Sequence, residues 1–218
     1  MSALIDLMTG LSLTNDHGRG EWLAETAGVG PGDKVLDIGC GPGTALAAAS
    51  RRGATAIGLD PSPTMLWLAA RRNAGAILLA AGVDAIPLPC DSVTVAWASG
   101  SLHHWPDVDA GLAEVTRVLA PGGRLVIIER AGSGHRLIGA HAITPVRADG
   151  LVEKLTALGY SATTVERADI ASRDMLLVRG DLVLTSSFDH DPVTHVLEEV
   201  TASVVGPVRG SGWSHRES

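Results

Sequence analysis

The sequence predicts an α/β domain built on a doubly wound, largely parallel sheet. Three observations carry that expectation. From Lys34 onward, short apolar runs alternate with Ala-rich, helix-compatible stretches; the first run, Val35 to Ile38, opens directly into a glycine-rich turn; and Leu125-Val126-Ile127-Ile128 is apolar at every position, as a strand covered by helices on both faces must be.

Taken in order, Glu21-Trp22-Leu23-Ala24-Glu25 reads as a short helix ending near Gly28, and Pro31-Gly32-Asp33 as a turn. Then come a strand over Val35 to Ile38, a helix over Thr44 to Arg52, a strand over Ala54 to Leu59 and a helix over Pro63 to Asn73. A strand over Ala76 to Ala81 leads into a proline-broken loop, Ile86-Pro87-Leu88-Pro89, and a strand over Val93 to Ser99 follows. The helix over Val108 to Leu119 places Leu112, Val115 and Leu119 on one face, and Pro121-Gly122-Gly123 is read as its end. After the strand around Leu125 to Ile128 come a glycine-rich loop from Arg130 to Arg136, a helix over Ala148 to Leu158, and two last strands, Ser161 to Glu166 and Met175 to Val178. This sets a domain over 1–185. The tail, 186–218, opens with Asp191-Pro192 as a helix start, carries Val196, Val200 and Val204 on one stripe, and reads as frayed from Gly206.

Composition narrows the function. The chain has 218 residues, with 17 basic against 24 acidic side chains, a net charge of −7. That balance and an aromatic content of 3% argue against a phosphate-backbone binder or a base-stacking platform, so no nucleic-acid partner is expected. All basic residues except Lys34 and Lys154 are arginine, which reads as compositional bias and carries no functional weight. Cys40 and Cys90 lack metal-ligand spacing, so neither a disulfide framework nor a zinc site is expected, and a reducing cytoplasm fits. The first residues, Met1-Ser2-Ala3-Leu4-Ile5-Asp6, show no basic region before an apolar one, and no uncharged apolar run is long enough to span a membrane. The chain is read as soluble and unexported.

The segment Val35-Leu36-Asp37-Ile38-Gly39-Cys40-Gly41-Pro42-Gly43 delivers three glycines at the mouth of a helix, where a ligand can approach the backbone closely. A dinucleotide favours G-x-G-x-x-G; here the spacing is G-x-G-x-G, and Pro42 removes an amide donor. An acid at Asp37 suits a ligand with a cationic amino group, of which S-adenosylmethionine is one. Asp60, about 17 residues after the loop, is placed at the next strand end to accept the hydroxyls of a ribose. Asp84, after the third strand, is placed to accept an adenine amine. A ligand-free turn with Asp60 and Asp84 as caps is the plainer alternative, against which stands the ordered set of three acids at three strand ends.

On these residues, together with Gly58-Leu59-Asp60 and Met65, Asp84-Ala85-Ile86-Pro87-Leu88, Ser99-Gly100-Ser101-Leu102-His103-His104-Trp105, and Glu114 to Gly123, the chain resembles the class I S-adenosylmethionine-dependent methyltransferases, most closely their ubiquinone/menaquinone-biosynthesis-like subgroup. The resemblance spans roughly 15–180. It implies a Rossmann-like seven-stranded sheet, mostly parallel, whose last strand is antiparallel and inserted beside the sixth. It further implies S-adenosylmethionine as cofactor, S-adenosylhomocysteine as product, and a small-molecule methyl acceptor. Asp37 and Gly39 would then hold the methionine end, Asp60 the ribose, Asp84 with Ala85 the adenine, and Ser99 with the following turn the sulfonium side. Cys40, Gly41, Gly43, Pro61, Met65, Gly82 and Leu102 complete the expected cofactor-binding set. The family often opens its fourth strand with an acidic-aromatic pair; here Val93-Thr94-Val95 follows Asp91-Ser92.

His103, His104 and His141 are the candidate bases for an acceptor that must lose a proton, the alternative for the first two being a turn that packs on the sheet and shapes the pocket. Trp105 is read as packing and Cys40 as a small buried side chain. Glu129, Arg130 and His135 are read as solvated loop residues, and the tail group Asp189, His190, Asp191 and His195 as a solvated cap, so no metal is expected. The acceptor-selecting loops, 1–20 and 130–147, carry no recognisable pattern. A nicotinamide-dependent oxidoreductase, disfavoured by the glycine spacing, and a non-catalytic methyltransferase-like binding module remain the alternatives. The tail stripe could dock on its own domain or form a homodimer.

Overall fold

The computed structural model describes residues 17–132, 142–170 and 172–183. In chain order they form α1 (His17–Thr26), β1 (Lys34–Ile38), α2 (Thr44–Arg51), β2 (Thr55–Leu59), α3 (Pro63–Arg72), β3 (Ile77–Leu79) and β4 (Val93–Ser99). A 3-10 turn (Leu102–His104), α4 (Val108–Val118), β5 (Leu119–Ala131), β6 (Ala142–Ile143), α5 (Pro145–Ala157), β7 (Tyr160–Ile170) and β8 (Arg173–Leu182) follow. The 186–218 tail, His135 and His141 lie outside the described residues.

The sheet runs β3-β2-β1-β4-β5-β8-β7, with the two-residue β6 pairing with β5 off this path. Pairings from β3 through β5 are parallel, as is β5 with β6. Strand β8 is antiparallel to both neighbours and sits between β5 and β7. Seven strands on the main path, with the last one reversed and inserted, match the expected topology; β6 is an addition. The chain leaves β1 toward β2 on one side and returns to β4 on the other, so strand order reverses between β1 and β4, where a doubly wound sheet opens a crevice at its carboxyl ends.

Alternation along the central strands builds two cores. Leu36, Ile38, Leu125 and Ile127 face one way and pack with Leu112 and Val115 of α4 and Leu151 and Leu155 of α5. Val35, Trp97, Val126 and Ile128 face the other way and pack with Leu23 of α1 and Leu46 and Ala49 of α2. This double burial is the physical reason for the uninterrupted apolar run Leu125 to Ile128. Helix starts use the chemistry visible in the sequence. The Ser62 side chain accepts from Met65 N–H with Pro63 just inside α3, Asp107 accepts from Asp109 and Ala110 N–H at α4, and Thr144 accepts from Arg147 N–H with Pro145 just inside α5.

Two sequence expectations are corrected. Helix α4 ends at Val118, and β5 begins at once and runs through Pro121-Gly122-Gly123. The register moves from Val93↔Leu119 to Val95↔Arg124, so the glycine pair, with Gly122 at φ +78°, forms an irregularity inside the strand. Strands β7 and β8 extend well beyond the apolar runs that mark them, because β7 is an edge strand whose exposed polar positions carry no burial signal.

Arg117 fixes the loop between β3 and β4. Its guanidinium donates to Ile86 O (2.9 Å) and Leu88 O (2.8 Å) while pairing with Glu114, whose Oε2 accepts from Ile86 N–H at 2.9 Å. The Arg117 partner is the first cause that holds the Glu114 carboxyl below its ordinary range. Truncation would strand two loop carbonyls and a half-buried carboxylate. Arg117→Ala is expected to lower unfolding free energy by about 1–3 kcal/mol in urea denaturation, with an unchanged m-value.

Candidate active site

At the carboxyl ends of β1, β2 and β4 lies a cavity of about 740 Å³, within the size range of small-molecule sites. One wall is the loop after β1, from Gly39 to Pro42; a second is Asp60-Pro61 with Met65; the far side is Ala81 to Val83. The turn from Ser99 to Ser101, with Arg19 of α1 and Trp105, completes it.

Backbone bonds shape the glycine loop. Gly39 and Cys40 N–H both donate to Leu59 O, at 2.8 and 3.0 Å, which carries the chain from β1 toward the end of β2. Asp60 then ties two turns together: its Oδ2 accepts from Gly41 N–H (2.9 Å) and its Oδ1 from Ser62 N–H (2.8 Å). Gly39 sits at φ +69°, and a Cβ there would lie 2.5 Å from Ser101 Cβ, so only glycine lets β1 and the β4 turn approach this closely. Ser101 Oγ seals the approach by donating to Ile38 O at 2.5 Å.

Gly43, expected to bind the cofactor, does not line the cavity. It begins α2 at φ +79°, and a Cβ would lie 2.5 Å from Asn73 Nδ2 and 3.1 Å from Ala69. The buried Asn73 amide donates to Gly43 O (3.0 Å) and Ala69 O (3.1 Å), so the third glycine serves packing between α2 and α3. Asp84 and Ala85 are exposed and also off the cavity; the Asp84 carboxylate folds back on Gly82, where a built Cβ would meet its Oδ1 at 2.4 Å. Leu102 is buried in the core beneath the turn. Asp37, Gly39, Cys40, Gly41, Asp60, Pro61, Met65, Gly82 and Ser99 do line the cavity.

Asp37 is the electrostatic centre. It pairs in register with Trp97 on β4, is 2% exposed, and neither its Oδ2 nor the Trp97 Nε1 has a hydrogen-bond partner. Burial pushes its pKa up to about 7; the nearby Trp97 indole works against that rise and the Asp60 carboxylate adds to it. Burial, reinforced by both carboxylates, also pushes the Cys40 thiol upward, which makes it a poor thiolate.

The β4 and β5 ends hold a group that sequence reasoning placed wrongly. Glu129 is not a solvated loop residue: it lies within β5 and is 2% exposed. Its Oε1 accepts from Leu102 N–H at 2.7 Å, and its Oε2 stands 3.1 Å from His103 Nδ1. Burial pushes Glu129 up to about 7, opposed by the Leu102 and His103 backbone N–H groups and by the charges of His104 and Arg19. His103 does not line the cavity, whereas His104 does, its ring centroid 4.0 Å from that of His103. Arg19, Ser101 and Trp105 line the cavity and were not in the expected set. Trp105 packs tightly on Gly111, where a Cβ would lie 2.6 Å from its ring, and that glycine inside a helical stripe was the available signal.

Both raised acids keep their protons to higher pH in the folded chain than unfolded. Their contribution to stability is therefore complete below about pH 4 and is lost as pH rises toward 7. Asp37→Asn, which cannot ionise, is expected to flatten the fall in unfolding free energy between about pH 4.5 and 6.5, by up to about 1.4 kcal/mol per pH unit, in denaturant titrations across that range.

Residues 36–127 match the family model described as a methyltransferase domain. The chain is 42% identical over 107 residues to a demethylmenaquinone methyltransferase of Thermobifida fusca (strain YX), the match covering 45% of this chain and 44% of that protein. It is 32% identical over 120 residues to a malonyl-[acyl-carrier protein] O-methyltransferase of Serratia marcescens, covering 55% and 47%. The chain thus spans less than half the length of either relative. Among solved structures, a SAM-dependent methyltransferase from Aquifex aeolicus superposes with a TM-score of 0.61 at 20% identity, over 75% of this chain and 89% of that one, and shares the fold. The matched segment runs from β1 into β5 and carries the glycine loop, Asp60 and the turn after β4, so this part of the chain is similar to a methyltransferase domain.

Proposed function

We propose that the protein transfers the methyl group of S-adenosylmethionine to an oxygen, nitrogen or carbon nucleophile of a small molecule by in-line displacement. The observation that carries this is Asp37: a buried carboxyl in the cavity wall, held near neutrality, with one oxygen unpartnered. Such a group gains most from a ligand that brings a cation to it, and the cofactor carries an α-ammonium.

The remaining wall fits the rest of that molecule. Gly39 and Gly41 present bare backbone at positive φ beside Asp37. Asp60 stands on the cavity wall with its carboxylate anchored by the Gly41 and Ser62 N–H groups, where a ribose diol would donate to it. Met65 with Gly82 would enclose the adenine end in place of Asp84 and Ala85. When bound, the cofactor supplies a methyl group on a positively charged sulfur, a leaving group that needs no proton. The chain's own contribution is alignment: Ser99 to Ser101, pinned by the Ser101 to Ile38 bond, and Trp105, pinned on Gly111, bound the space beyond Asp37 in which an acceptor would be held.

A small-molecule acceptor is supported by the relative named for demethylmenaquinone, and the net charge of −7 argues against nucleic acid. Cytoplasmic placement is supported by two free thiols, Cys40 and Cys90. Among the described residues no helix is long and apolar enough to cross a membrane.

Calorimetric titration tests the reading. S-adenosylmethionine and S-adenosylhomocysteine are expected to bind in the micromolar range and NADH not to bind. Because a bound ammonium lowers the Asp37 pKa, binding near pH 6.5 should release protons, seen as an apparent enthalpy that changes with the buffer's ionisation enthalpy. Asp37→Asn should weaken binding by about 10–100-fold and abolish the proton release. Folded protein that binds neither sulfur ligand would overturn the assignment and favour a non-catalytic binding role.

A further inference from the structure

The cavity wall carries one fixed cation with no part so far in holding the cofactor. Among the described residues that line the cavity, Arg19 is the only arginine or lysine, set against the two carboxyls of Asp37 and Asp60. It comes from α1, and a glycine brings it there. A Cβ at Gly20 would lie 3.1 Å from Thr44 O and 3.2 Å from Ala45 Cα, so the bare residue lets α1 rest on the backbone at the start of α2. The preceding residue, Arg19, is half-buried, and its guanidinium lies on the turn after β4: a Cβ at Gly100 would meet its Nη1 at 3.3 Å. That turn fixes which side of the cavity the guanidinium serves. Gly100 precedes Ser101, which lies against Gly39 and donates to Ile38 O, and Asp37 stands one residue before Ile38. Arg19 and Asp37 therefore belong to the β1–β4 side, whereas Met65 and Gly82 follow β2 and β3 on the other.

We propose that Arg19 is the carboxylate-binding residue of this site and that, with Asp37, it reads the zwitterionic amino-acid end of the cofactor. This rests on the methyl-transfer reading above and deepens it, by naming the residue that decides which sulfonium ligand the cavity accepts. A guanidinium stays charged at any working pH, and its planar fork matches the two oxygens of a carboxylate, as a carboxyl matches an α-ammonium. An amino acid presents both charges on one carbon, so a wall with a cation and an acid on the same side takes the whole group. A ligand that keeps the amine and lacks the carboxylate leaves the guanidinium unmatched. The consequence is selectivity against a decarboxylated cofactor, which retains the sulfonium, the methyl group, the ribose and the adenine and differs only at the atoms Arg19 would hold.

The test compares two probes by calorimetric titration, S-adenosylhomocysteine and decarboxylated S-adenosylhomocysteine, on wild type, Arg19→Gln and Arg19→Lys. Wild type is expected to bind the first about 10–100-fold more tightly than the second. Arg19→Gln should weaken S-adenosylhomocysteine by a similar factor while leaving the decarboxylated probe within about 3-fold, and Arg19→Lys should recover part of the loss. A merely structural Arg19 would move both probes equally, and a guanidinium that meets a carboxylate on the acceptor would leave S-adenosylhomocysteine unmoved; either outcome overturns the assignment. Thermal unfolding checks that each variant is folded. Should Arg19→Gln fail to fold, Arg19→Lys decides in its place, by whether its loss is confined to the probe with the carboxylate. Wild type that binds both probes equally overturns the assignment alone, whereas wild type that binds neither overturns the methyl-transfer reading and the assignment with it.

Discussion

The carboxylate of Asp60 is the tie on which the site depends. One side chain at the end of β2 accepts from the backbone of the loop after β1 and from the first turn before α3. With both oxygens engaged, the loop cannot swing away from the neighbouring strand, and the two helices that follow leave the sheet at fixed points. The consequences spread outward: Gly43 reaches the flank of α3 closely enough for Asn73 to clasp it, and Gly39 lies against Ser101, which brings the β4 turn to the edge of the same cavity.

Two acids within this frame are held at a high proton affinity for one reason, burial, but serve opposite situations. Asp37 is short of partners and lines the cavity, so a ligand cation would relieve its cost. Glu129 is fully occupied by the chain and turned away from the cavity, so its cost is offset by what it holds in place. Environment, not residue type, separates a binding group from a supporting one.

The sheet and its crossover pattern were legible in the sequence because parallel strands buried on both faces leave continuous apolar runs, and because Ser62-Pro63, Asp107 and Thr144-Pro145 announce helix starts by local chemistry. The edge hairpin β7–β8 was seen only in part, since half-exposed strands lack that continuity. Of the expected site residues, Gly39, Cys40, Gly41 and Asp60 fall on the cavity wall, where their spacing at the strand ends put them. Asp84 lies off it, because whether a loop carboxylate points inward or folds on its own glycine is decided by side-chain rotation that spacing does not encode. Glu129 was missed for a related reason: an acid after an apolar run looks like the start of a loop until the strand is seen to continue past it.

Trp97 has no solvent exposure, lies in register beside Asp37, and carries an indole N–H with no hydrogen-bond partner. A chromophore so placed sits in the field of a carboxyl that is neutral in part near pH 7 and that a cation laid against it would ionise. A ligand cation laid against Asp37 would thus change the charge beside the Trp97 indole, and the emission of that side chain would register it without any opening of the fold.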